Sequence, residues 1–125
     1  DATFIRPEKV GGTESYLRNL LEGLHTYDSD NEYIIFTNKS NDKSFVFTNP
    51  NFRKVQCAVD GSNRLNRILF TNFKLPGLIK KHGVDVMFFP SYMRCFSSLS
   101  GVKTVSNIHD LQCKHYPNIF HFRKK

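Results

Sequence analysis

Tyr16, Leu17, Leu20, Leu21 and Leu24 recur at the spacing of one helical face and predict a helix from about Thr13 to His25. Thr13 is placed to cap its first turn, Glu14 to complement the positive end of its dipole, and the polar run Asp28 to Asn31 to end it. Tyr33 to Thr37 is a short β-branched and aromatic run between Asn and Asp clusters, the pattern of a buried strand. Phe45 to Thr48, closed by Asn49-Pro50, and Lys54 to Val59 predict two more strands. From Leu65 to Lys81 a longer amphipathic helix is expected, kinked or restarted at Pro76 and terminated at Gly83. Val84 to Phe89 reads as a buried strand stopped by Pro90; a Ser-rich loop runs on through Ser100, and Lys103 to Ile108 gives a last strand. The tail from His115 to Lys125 mixes aromatics with bases and predicts no element. Helices alternating with apolar strands point to an α/β layered fold with a mainly parallel sheet.

The 125 residues suffice for one domain and not for two. Eighteen Lys and Arg against eleven Asp and Glu give a formal charge of +7, which favours phosphates, anionic lipid or acidic substrates without choosing among them. Three widely spaced cysteines, Cys57, Cys95 and Cys113, suggest neither a disulfide framework nor a zinc ribbon, and fit a reducing, cytoplasmic setting. No apolar run approaches a membrane span or a signal peptide. Asn38-Lys39-Ser40 matches a glycosylation acceptor, a pattern too short to carry weight without secretion.

In an open α/β sheet, ligands gather at the carboxyl ends of the strands, which singles out two loops. Gly11-Gly12-Thr13-Glu14 opens the first helix, where bare backbone and unpaired amides favour phosphate or carboxylate oxygens; a plain turn is the competing reading. The loop matches neither the dinucleotide nor the P-loop fingerprint. His109-Asp110 follows the last strand, where an imidazole and a carboxylate can bond a polar ligand or place a proton, or where Asp110 caps a turn. His109, Asp110, Cys113 and His115 are metal-ligand types, but at no recognisable metal-site spacing, so no metal and no cofactor is expected. Between Asp60 and Asp85 there is no acid, while Arg64, Arg67, Lys74, Lys80 and Lys81 lie on or beside the amphipathic helix. Such a helix lies either on anionic lipid or, as favoured for a layered domain, with its apolar stripe against the core.

The order of several motifs is more specific than any one of them. Gly11-Gly12-Thr13-Glu14-Ser15-Tyr16-Leu17-Arg18-Asn19-Leu20-Leu21, Asn31-Glu32-Tyr33-Ile34-Ile35-Phe36-Thr37-Asn38, Leu75-Pro76-Gly77-Leu78-Ile79, His82-Gly83-Val84-Asp85-Val86, and Ile108-His109-Asp110-Leu111 with His115-Tyr116-Pro117 follow one another along the chain. Together they resemble the amino-terminal half of retaining glycosyltransferases of family 4, the bacterial mannosyl- and glucosyltransferase type with two Rossmann-like domains (GT-B). The resemblance spans nearly the whole chain and is weakest from Lys39 to Asn63. It implies transfer of a sugar from a nucleotide diphosphate sugar to a glycan or lipid-linked acceptor with retained configuration, without metal and without nucleic acid as a partner. Gly11, Gly12 and Thr13 would then face the donor diphosphate and His109 the donor sugar, with Asp110 organising the loop. Glu14, Ser91, Tyr92 and Arg94 would lie on the acceptor side. A peripheral contact with anionic membrane at the cytoplasmic face fits the basic helix.

The resemblance also carries two departures. The family opens with an apolar strand just ahead of the position of Asp1, so a Rossmann-like sheet lacking its first strand is expected. Residues 1–125 would form the acceptor-side domain alone, without the donor domain that follows in the family, and a lone half is expected to be inactive. The rival from another class is a non-catalytic basic module binding nucleic acid or anionic lipid through its positive face.

Overall fold

The computed structural model describes residues 1–7, 11–91, 95 and 99–115, with the backbone alone at Gln112 and Cys113. It is a mixed α/β structure: α1 (Gly12–Tyr27), β1 (Tyr33–Thr37), β2 (Phe52–Gln56), α2 (Arg64–Leu69), α3 (Leu75–Lys81), β3 (Val86–Phe89), β4 (Lys103–Ser106) and a short α4 (Gln112–His115). Strand pairing is parallel throughout, as expected, but in two separate pairs rather than one sheet. Tyr33 to Thr37 run in register with Phe52 to Gln56, and Val86 to Phe89 with Lys103 to Ser106.

The opening residues join the two pairs. The Ala2 amide donates to Phe36 O at 2.9 Å and the Asp1 nitrogen to Phe88 O at 2.8 Å, so one short segment touches both β1 and β3. Beside it β1 and β3 do not pair, and a cavity of about 470 Å³ is walled by Leu17, Leu21, Ile35, Val86 and Phe88.

Residues 2–5 are buried, which leaves their carbonyls in need of donors. Two fully buried asparagines supply them. Asn38 Nδ2 donates to Thr3 O at 2.9 Å and Ile5 O at 2.8 Å; Asn41 Nδ2 donates to Ala2 O at 2.7 Å and Ile5 O at 3.0 Å. Each side-chain oxygen in turn accepts the other residue's backbone N–H, at 2.9 and 3.0 Å, so the two amides lock each other. Gly61 closes over this pair: a Cβ there would stand 2.7 Å from Asn38 Nδ2, so any larger residue displaces the amide.

Two apolar clusters use opposite sides of the strands. Ile35 joins Ala2, Phe4, Ile5, Leu17, Leu21, Phe45 and Phe52 under α1. Phe36 joins Phe70, Leu75, Ile79, Met87 and Phe89 on the other side, which is the alternation a strand imposes on consecutive side chains.

Three expectations need correction. Phe45 to Thr48 is not a strand. It leaves a 3₁₀ turn at Asp42–Ser44 and crosses the end of α1, where His25 Nε2 accepts the Thr48 and Asn49 amides at 3.2 and 3.0 Å. A side chain takes the place of a neighbouring strand, and Phe47 packs on Phe52 with ring centroids 5.1 Å apart. The helix Leu65 to Lys81 is three pieces, α2, a π-helical stretch at Phe70–Lys74, and α3. Pro76, at the second position of α3, has no N–H to donate to the preceding turn, and the helix restarts there as expected. Finally, its apolar residues do not form one inward stripe: Phe70, Leu75 and Ile79 are buried, but Leu65, Leu69 and Phe73 are 71%, 55% and 78% exposed.

The loop after α1 gives a pH-dependent contribution. Asp28 accepts from Tyr33 Oη at 2.5 Å, Asn31 Nδ2 at 2.9 Å and the Asp30 amide at 2.9 Å, which together hold its carboxyl well below the usual carboxylate range. Burial and the same carboxylate push Tyr33 up to about 12. The Asp28 contribution is thus present above the unfolded carboxyl pKa of ~3.9 and is lost as pH falls toward the depressed native value. That of Tyr33 is present below ~10 and is lost as pH rises through about 12. In urea unfolding, the stability gap between wild type and Tyr33→Phe is expected to be flat from about pH 5 to 9 and to shrink on both sides. A gap as large at pH 2.5 as at pH 7 would contradict this pairing.

Candidate functional site at the carboxyl ends of the strands

Gly11 precedes α1 with φ of 63°, the left-handed region that glycine enters without strain, and its carbonyl accepts the Glu14 and Ser15 amides. Among the described residues no side chain caps this helix start. Thr13, expected as the cap, is instead inside the first turn. Both glycines are exposed, and a Cβ built on either meets nothing within 4 Å. Gly12, the first residue of the helix, has no positive φ, so neither strain nor crowding among the described residues calls for glycine there.

His109 lies just beyond β4 and is fixed from three directions. Its Nε2 is 2.8 Å from the carbonyl of Pro90, which ends β3. A carbonyl only accepts, so Nε2 carries the proton. Nδ1 is then the acceptor for the Asn107 side-chain amide at 3.2 Å, and the ring is the neutral Nε2–H tautomer. Tyr16, one turn into α1, meets the imidazole edge-on, with centroids 5.4 Å apart and planes at 87°. The imidazole thus stands among the exits of two parallel strands and the opening turns of α1.

The other expected site residues are distributed as follows. Glu14 is engaged by Arg18, whose Nε and Nη2 lie 2.9 and 2.8 Å from Oε1, while Arg18 also reaches Ser44 and covers the Phe45 ring at 4.6 Å. Its carboxylate is therefore part of the clasp between α1 and the 3₁₀ turn. Asp110 is exposed beside His109, and Ser91 is half-buried next to Pro90. Tyr92, Arg94 and the Tyr116-Pro117 end of the last motif lie outside the described residues, as does the Cys113 side chain. Among the described residues no three His, Cys, Asp or Glu side chains gather as a metal site, and no helix is long and apolar enough to cross a membrane. The 470 Å³ cavity is not part of this rim: its walls include none of Gly11, Gly12 and His109.

Sequence reasoning missed Tyr16, Asn107 and Pro90. Tyr16 counts as a core position by helical spacing, yet it is 39% exposed and packs on the imidazole. Asn107 stands two residues before His109, and the i, i+2 alternation of an extended segment was the available signal. Pro90 looked like a strand terminator, whereas its carbonyl also sets the tautomer of His109. No protein-family model, no curated protein and no solved structure matches the chain.

Proposed function

We propose that the chain is the acceptor-side, Rossmann-like domain of a retaining glycosyltransferase that uses a nucleotide diphosphate sugar. The observation that carries this reading is the contact between His109 and Tyr16, which brings the imidazole beside the helix that Gly12 opens. A glycine without an internal structural reason at that helix start supports it, because close approach by a ligand is an external reason. So does the use of both sides of the strands by separate apolar clusters, which fits a doubly wound layer.

In this reading the bond between the sugar's anomeric carbon and the diphosphate breaks while the acceptor hydroxyl oxygen bonds to that carbon and passes its proton to the departing diphosphate. The departing diphosphate gains charge, and the amides at the start of α1 receive it. His109, oriented by Pro90 and Asn107, exchanges one of those two hydrogen bonds for a hydroxyl of the donor sugar. Asp110 shapes the loop, and Ser91 lines the acceptor side. Transfer also needs a domain that holds the nucleotide, so the assay uses the complete reading frame, a panel of nucleotide diphosphate sugars, and glycan and lipid-linked acceptors. His109→Ala is expected to lower transfer by about a hundredfold or more with unchanged circular dichroism. Normal transfer by that variant would remove His109 from the reaction.

A second reading, peripheral binding to anionic membrane, is favoured by Leu65, Leu69 and Phe73, which stand outward at i, i+4 and i+8 beside Arg64 and Lys74. Wild type is expected to sediment with phosphatidylglycerol vesicles and Phe73→Ser to sediment several-fold less. Equal binding to phosphatidylcholine vesicles would count against it.

A further inference from the structure

Three arginines gather beside the clamped opening segment, away from His109. Arg6 leaves that segment directly, and its Cγ passes within 3.5 Å of the position a Cβ would take at Gly61. Arg67, in the last turn of α2, lays Nη1 toward Phe4 O at 3.5 Å, the outer limit of a hydrogen bond. Arg64 begins the same helix and is exposed. The Nε atoms of Arg6 and Arg67 are sealed from solvent and have no hydrogen-bond partner among the described residues. Burial first, then Arg6 and Arg64, hold the Arg67 guanidinium below its ordinary value, so Arg67 feels the other two cations. Asp60 is within electrostatic reach of Arg6, but its carboxylate accepts from the Ser62 amide at 2.8 Å. Among the described residues no acid comes within 4.0 Å of any of the three guanidinium groups.

Burying two arginine stems next to a third arginine, with no acid between them among the described residues, is unfavourable. The same arrangement is pre-organised for an anion. Packed stems fix the two guanidinium planes before a ligand arrives, and a planar fork matches phosphate oxygens with two parallel N–H bonds. Three positive charges tempered by one nearby acid suit a doubly charged group better than a single carboxylate.

We propose that Arg6, Arg64 and Arg67 form a binding site for a phosphoryl group, carried by a soluble phosphate ester or by a lipid headgroup. The site is separate from the helix start of α1 and from His109, and it stands whether or not the chain transfers sugar. It assigns a purpose to the positive charge between Asp60 and Asp85 that a solvated helix face does not require.

Inorganic phosphate titrated into the whole chain by calorimetry, with ionic strength held constant by chloride, tests the site directly. One equivalent is expected to bind. Arg67→Gln and Arg6→Gln are each expected to weaken binding about tenfold or more, and Arg67→Lys by less, because charge remains while the fork is lost. Arg64→Gln changes an exposed side chain and keeps the test valid should either inner variant unfold; it is expected to weaken binding several-fold. Arg53→Gln, at an exposed arginine on β2 beside His82, is expected to bind as wild type does. Glycerol 3-phosphate and phosphatidic acid vesicles then separate the two sources, and tighter binding of either than of inorganic phosphate supports the site. Phosphate binding no stronger than that of chloride, or binding that Arg53→Gln weakens as much as Arg64→Gln does, would overturn it.

Discussion

The mutual lock of Asn38 and Asn41 on the opening segment is the constraint on which the rest of this structure depends. Four short hydrogen bonds, of 2.7 to 3.0 Å, run from the two side-chain amides to the carbonyls of Ala2, Thr3 and Ile5. These are buried polar groups, so their satisfaction is worth more than their number suggests: an unpaired one costs about 1–3 kcal/mol. The segment they hold is also the connection between two strand pairs that do not otherwise pair, because it bonds to Phe36 on one side and Phe88 on the other. A polar turn after β1 thereby organises the assembly of apolar elements.

The proposed phosphoryl site takes its placement from that clamp. The chain leaves Ile5 through Arg6, whose position beside Gly61 follows from the same packing, and then reaches the glycines that open α1. From the other direction, β3 and β4 deliver Pro90, Asn107 and His109 to one place, where the imidazole meets Tyr16 of α1. The proposed sugar-transfer rim and the proposed phosphoryl site are therefore both built on short connections between elements. Neither includes the cavity between β1 and β3, whose walls mix apolar residues with Asp1, Glu32, Arg53, His82 and Asp85.

What was legible in the sequence was local. The spacing of Leu17, Leu20, Leu21 and Leu24 located α1, β-branched and aromatic runs located β1 and β3, and Pro76 located the helix restart. His109 at a strand exit followed from the same pattern. What escaped was set by distant partners. In the sequence Asn38 marks only a short glycosylation pattern and the end of a motif, and nothing singles out Asn41, because the carbonyls they serve lie 33 to 39 residues away. Phe45 to Thr48 has strand composition, but His25 takes the backbone donors that a neighbouring strand would need. Leu65, Leu69 and Phe73 fit a helical face, and periodicity alone does not tell which side of a helix meets the core.

Amide hydrogen exchange at Ala2, compared between wild type and Asn38→Ala, tests the clamp most directly. In wild type the Ala2 amide, bonded to Phe36 O, is expected to exchange as slowly as the amides that pair β1 with β2. In Asn38→Ala it should lose that protection while the β1–β2 amides keep theirs, since the opening segment is freed and the strand pair is not. Equal protection of Ala2 in both proteins would show that the segment is held by something other than the asparagine pair.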